Sequence, residues 1–133
     1  MDEIKNAITR LKPKTSMGMD AIPSYIVKGC SEHFLLPLYI LFNQIIRTSL
    51  FSDRWKTTKI CPIRKSGKVK EVSNFRPIAI LNVFSKIFES IIYHRIINQV
   101  RPAISEYQHG FLKGRSTVTN LAVLTDFVAH ALD

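Results

Sequence analysis

The stretch from Arg54 to Arg76 restricts the fold more than any other part of this chain. It carries eight Lys/Arg (Arg54, Lys56, Lys59, Arg64, Lys65, Lys68, Lys70 and Arg76) against one acid, Glu71, and so supplies +7 of the chain's formal +9. The segment is basic along its whole length. Yet Thr57-Thr58-Lys59-Ile60-Cys61-Pro62-Ile63 is β-branched and alternating, the pattern of a strand. Arg76-Pro77-Ile78-Ala79-Ile80-Leu81 reads as the strand that returns. Together they predict an antiparallel ribbon with a basic tip, the polar stretch from Ser66 to Ser73. Pro62 requires an edge position or a strand end there. A solvated face usually mixes signs; this one attracts a polyanion.

The rest of the chain carries mainly helical patterns. The chain has 133 residues, one domain or a piece of one, and 46% apolar residues, enough to bury a core. Ile4, Ala7, Ile8 and Leu11 repeat at helical spacing over residues 3–12. A loop runs from Lys12 to Pro23. A second helical region spans Pro23 to Arg47, with a break at Gly29-Cys30-Ser31 and Ser31 as cap of its second half. The run from Phe34 to Ile46 reads as a buried helix. Phe84, Ile87, Phe88, Ile91, Ile92 and Ile96 form another stripe, capped by Asn82 and closed by Pro102. A last helix begins near Ser116. Val118, Leu121, Ala122, Val128 and Leu132 lie on one side of it, and Val123, Leu124, Phe127 and Ala131 on the other. A helix apolar nearly all round is normally covered on both sides. The expectation is a truncated domain.

Several function classes lack support. Two cysteines, Cys30 and Cys61, are too few for a disulfide framework and read as buried or half-buried thiols in a reducing compartment. Asp2 and Glu3 occupy the place of a positive signal-peptide region. No apolar run reaches the roughly 20 residues that span a bilayer. The expected location is intracellular, in cytoplasm or nucleus, without a membrane partner. The acids form no compact set, whereas two-metal phosphoryl transfer needs carboxylates holding ions about 3.5–4 Å apart. No catalytic residue and no metal ligand is assigned. Cys30-x-x-His33 has half of a zinc spacing and no second half. Gly110-Phe-Leu-Lys-Gly114-Arg-Ser116 is one residue short of a phosphate loop, with Arg in place of Lys, and reads as a glycine turn before a helix with a nucleic-acid role. Lys65 and Arg76 flank the ribbon tip. Their heads either converge on one anion or remain two solvated cations; a guanidinium fork and a compact ammonium both suit phosphate.

Three blocks resemble a known family, the reverse transcriptases of non-LTR (LINE-type) retrotransposons, and the jockey-like insect elements in particular. The first is Leu11-Lys-Pro-Lys-Thr-Ser-Met17-Gly18-Met19-Asp20-Ala21-Ile22-Pro23, similar to a family loop of the form K-S-P-G-P-D-G-I-P. The second is Phe51-Ser-Asp-Arg-Trp55-Lys56 with Ile60-Cys-Pro62-Ile63-Arg-Lys65-Ser-Gly67 and Asn74-Phe75-Arg76-Pro77-Ile78-Ala79-Ile80-Leu81. The third is Gln108-His-Gly110-Phe111-Leu-Lys-Gly114-Arg115-Ser116-Thr117. The resemblance covers essentially the whole chain.

It implies an α+β, mostly helical fingers subdomain, the N-terminal portion of the polymerase domain over residues 1–133, with one small antiparallel ribbon and the palm missing. It implies that Lys65 and Arg76 meet the triphosphate of an incoming dNTP. It implies template or other nucleic-acid contacts by Lys56, Lys59, Lys68, Gln108, Gly110, Phe111, Lys113 and Arg115. The loop of Gly18 and Asp20 is expected beside the incoming template. The implied partners are RNA template, DNA primer, dNTP and the missing palm and thumb. Mg²⁺ is implied for the complete enzyme, and no cofactor for this chain alone, which is expected to be inactive without the catalytic aspartates. The chain departs from the family pattern at Met17, Met19 and Ala21, where Pro, Pro and Gly are usual, and at Phe75, where Tyr is usual. The rival expectations are a stand-alone basic nucleic-acid-binding protein, an element remnant without function, or a small helical protein whose ribbon binds an acidic partner.

Overall fold

A computed structural model describes residues 1–65 and 71–132. The chain divides into two compact units, Met1–Arg95 and Ile96–Asp133. The fold is α+β, with a two-stranded antiparallel sheet among helices.

The first unit contains helices α1 (Asp2–Arg10), α2 (Ser24–Gly29), α3 (Ser31–Thr48) and α4 (Asp53–Lys56). Strands β1 (Lys59–Arg64) and β2 (Phe75–Ile80) follow, then helix α5 (Val83–Val100), which runs past the unit's end at Arg95. The stripe foreseen on α1 is the one buried: Ile4, Ala7 and Ile8 enter the core. They join Val27, Leu38, Phe42, Ile45, Val83, Ile87 and Ile91. Each large aliphatic side chain so placed contributes roughly 1.5–3 kcal/mol. Phe42, Phe51, Trp55 and Phe88 close one end of this core, with Phe42 and Phe88 centroids 5.1 Å apart and tilted at 56°. Offset and edge contacts of this kind are preferred by the ring quadrupoles.

Polar ties fix α1. Glu3 accepts two hydrogen bonds from the Arg95 guanidinium, at 2.9 and 2.5 Å. Arg10 Nη1 donates to His94 Nε2 at 2.7 Å, while His94 Nδ1 bonds the Ser90 carbonyl at 2.6 Å. That pair of roles fits a neutral imidazole with its proton on Nδ1. The Lys28 ammonium donates to the carbonyls of Thr9 and Leu11 at the C-terminal end of α1, where a cation is favoured.

Four expectations need correction. The helix foreseen as buried is amphipathic: α3 buries Leu38, Phe42 and Ile45, whereas Leu36, Tyr39, Ile40 and Ile46 are exposed. Ser31 is the first residue of α3 rather than its cap, and Cys30, at the cap position, makes no side-chain bond to it. Asn82 precedes α5 but caps it only through its backbone carbonyl, which accepts from Lys86 N; its side chain bonds elsewhere. Cys30 and Cys61 are both exposed free thiols.

In the second unit a short 3₁₀ turn, Arg101–Ala103, precedes a loop and helix α6 (Thr117–Leu132). Pro102 sits in that turn, as expected of a residue that stops α5. Ser116 and Thr119 cap α6 reciprocally. Thr119 N donates to Ser116 Oγ at 3.2 Å and Ser116 N to Thr119 Oγ1 at 2.9 Å. Every described residue of α6 is exposed, including Leu124 and Phe127.

Candidate nucleic-acid interface

Within the first unit the candidate surface is the ribbon. Its register pairs Lys59 with Ile80, Cys61 with Ile78, Pro62 with Pro77, and Ile63 with Arg76. Lys65 N donates to the Asn74 carbonyl at 2.7 Å, which extends the ladder by one step. Side chains alternate between faces along each strand. Lys59, Cys61, Ile63 and Lys65 therefore share a face with Ile80, Ile78, Arg76 and Asn74. Three cations, Lys59, Lys65 and Arg76, stand on that face. Arg64 is the cation of the opposite face. Lys65 and Arg76 are diagonal same-face neighbours, a placement in which Cβ atoms lie roughly 7–8 Å apart. Two long side chains so placed can reach one phosphate group.

The two prolines explain how so exposed a ribbon keeps its edges. The Lys65–Asn74 bond sets the alternation of antiparallel pairs, which makes Pro62–Pro77 a non-hydrogen-bonded pair. At such a pair the N–H groups would point outwards, away from the partner strand. Proline has none, so both outer edges lose a donor at mid-strand, which discourages pairing with another chain.

The cations are not equally available. Arg76 is exposed, and its side chain has no hydrogen bond or ion pair among the described residues. Lys65 Nζ donates to the Ser73 carbonyl at 3.1 Å, an exposed bond that an anion can replace. Lys56 lies on α4, off the ribbon, and is paired with Asp53 at 2.7 Å. The Lys56 ammonium holds the Asp53 carboxyl below its ordinary value. Lys68 lies outside the described residues.

The first loop has a structural duty. A Cβ on Gly18 would stand 2.5 Å from Asn82 Oδ1 and 2.9 Å from the Asn82 backbone. Asp20 N donates to Asn82 Oδ1 at 3.3 Å, and Asn82 Nδ2 donates to the Arg54 carbonyl at 3.0 Å. Asp20 Oδ1 accepts from Ile22 N, while Oδ2 is buried with no partner among the described residues. Ala21 stands at φ 55°, where the Cβ is strained. Asn82 thus clasps this loop to α4, where the sequence had marked it only as a helix cap.

In the second unit the third block forms a loop before α6. The Gln108 amide donates to the Gly110 carbonyl at 3.1 Å. Phe111 at φ 62° and Gly114 at φ 85° both take the left-handed conformation. Lys113 and Arg115 are exposed. His109 is buried, and its Nδ1 lies 2.9 Å from Thr119 Oγ1. Sequence reasoning passed over His109, whose only signal was its place inside the block.

The chain is 34% identical, over its full length, to a protein of Drosophila melanogaster named "Probable RNA-directed DNA polymerase from transposon BS". It is 31% identical, again over its full length, to the RNA-directed DNA polymerase from mobile element jockey of Drosophila funebris. It covers 15% of each relative. A third relative, the "Putative 115 kDa protein in type-1 retrotransposable element R1DM" of Drosophila melanogaster, is 34% identical over 85% of the chain. No family model matches.

Along its whole length the chain matches a segment of the RNA-directed DNA polymerases of non-LTR retrotransposons.

It spans about 15% of the length of these reverse transcriptases. The Mg²⁺ implied for a complete reverse transcriptase finds no fitting ligand set in this portion: among the described residues no group of three His, Cys, Asp or Glu is placed to hold a metal ion. No described helix is long and apolar enough to cross a membrane.

Proposed function

We propose that this portion of the reverse transcriptase acts as fingers, supplying phosphate and template contacts for template-directed nucleotidyl transfer. Lys65 and Arg76 would take the triphosphate of the incoming dNTP. The observation that carries this reading is their common face on the ribbon, two ladder steps apart. An ammonium gives a movable point charge and the guanidinium a planar fork, a combination suited to a polyphosphate. Lys59 extends the same face away from the tip and would meet backbone phosphates. Lys56 joins only by releasing Asp53. Gln108, Gly110, Phe111, Lys113 and Arg115 would meet the RNA template, and the clasped loop of Gly18 and Asp20 would border it. RNA template, DNA primer and dNTP are the partners in this reading. The chemistry itself needs a metal-binding carboxylate set that these residues do not offer, and no step is assigned to it.

The test is fluorescence anisotropy of labelled single-stranded RNA with the purified chain. The expected result is binding with little sequence preference at low salt, displaced by dNTP or inorganic triphosphate. Absence of RNA binding at low ionic strength, or indifference to triphosphate, contradicts this reading.

A further inference from the structure

Phe111 combines two features that rarely occur together. The residue is fully exposed, at 103%, and its backbone is held at φ 62°. A bulky residue in the left-handed region is strained and persists only where its surroundings hold it. Both flanks are held. Upstream, His109 is 8% exposed and bonded through Nδ1 to Thr119 Oγ1, and Gln108 bonds the Gly110 carbonyl. His109 Nε2 is buried without a partner among the described residues, so this imidazole serves as a clasp rather than a contact. Downstream, Arg115 N donates to the Leu112 carbonyl, Gly114 turns the chain, and Ser116 and Thr119 lock the start of α6. The loop thus holds an aromatic ring out into water.

The neighbours of that ring indicate what it meets. Tyr107 is a second exposed aromatic, at 70%. Lys113 and Arg115 are exposed cations, and no acid occurs from residue 107 to residue 125. Aromatic rings interleaved with cations suit single-stranded nucleic acid, whose bases stack while its phosphates are neutralised.

We propose that Phe111 is a stacking platform for an unpaired base of a single-stranded nucleic acid, with Lys113 and Arg115 on the adjoining phosphates. This rests on the template reading above and adds to it the group that reads unpaired bases. An aromatic face accepts any base, so the contact is indifferent to sequence but selects single strands over duplex.

The experiment compares the full chain with Phe111→Ala and Phe111→Trp by anisotropy, using a single-stranded RNA and a hairpin duplex of matched charge. Phe111→Ala should weaken single-strand binding about five- to a hundredfold, the range of one lost base–aromatic stack, and leave duplex binding within about twofold. Its salt dependence should be unchanged, because no cation is removed. Phe111→Trp should restore the affinity, and its added indole emission should be quenched by the single strand. Unchanged single-strand binding in Phe111→Ala overturns the platform while leaving the fingers reading intact, as does an equal loss on duplex. A wild-type chain that binds neither RNA overturns both.

Discussion

Gly18 lies against Asn82 so closely that a single added carbon would meet the Asn82 backbone at 2.9 Å and its side-chain oxygen at 2.5 Å. The backbone cannot yield cheaply, because Asn82 also bonds Asp20 N and the Arg54 carbonyl. Gly18→Ala should therefore destabilise the first unit by about 1–3 kcal/mol, the usual range for overpacking. Urea unfolding followed by Trp55 emission measures it.

Ala21 offers the opposite change. It is exposed and sits at φ 55°. Glycine there removes a left-handed penalty of roughly 1–2 kcal/mol but adds freedom to the unfolded chain. Ala21→Gly should leave a net gain of about 0.5–1 kcal/mol, read as a rise in urea midpoint at unchanged slope.

Glu3 and Arg95 give a pH-dependent tie. The Arg95 hydrogen bond holds the Glu3 carboxyl below its ordinary value, against a smaller opposing effect of burial. A carboxyl with a lowered folded value stabilises above its unfolded value of about 4.3 and loses that contribution as pH falls through the folded one. Both side chains are about half exposed, so the pair is worth only about 0.2–1 kcal/mol. Glu3→Gln should be less stable than wild type by that amount at pH 7, and the two should converge as pH falls below the lowered folded value of Glu3.

The ribbon and the α1 stripe were legible in the sequence because both are local periodicities. Alternation over residues 57–63 and 76–81 located β1 and β2 to within two residues at each end. Pro62 was rightly confined to an edge; that Pro77 faces it emerges only from the register. The exposed side of α3 was not legible, since apolar content says nothing of which face finds a neighbour. Neither was the Asn82 clasp, which joins residues more than sixty positions apart. Asn82 has the chemistry of a helix cap, and its side chain was drawn instead to Asp20 and Arg54. The family blocks marked Phe111 and Arg115, but the strained backbone of Phe111 and the His109 clasp follow from the folded loop alone.

The most direct test concerns Lys65 and Arg76 together. Both are exposed, so replacing them should not disturb the core. The measurement is the slope of log K against log[salt] for single-stranded RNA, in wild type and in the Lys65→Ala, Arg76→Ala double variant. With about four phosphates neutralised, the wild-type slope should lie near −3, and removing the two cations should make it shallower by about 0.7 where they share one phosphate and about 1.4 where each takes its own, at about 0.7 per phosphate. Identical slopes and affinities in the two proteins would contradict the claim that this face of the ribbon receives phosphates.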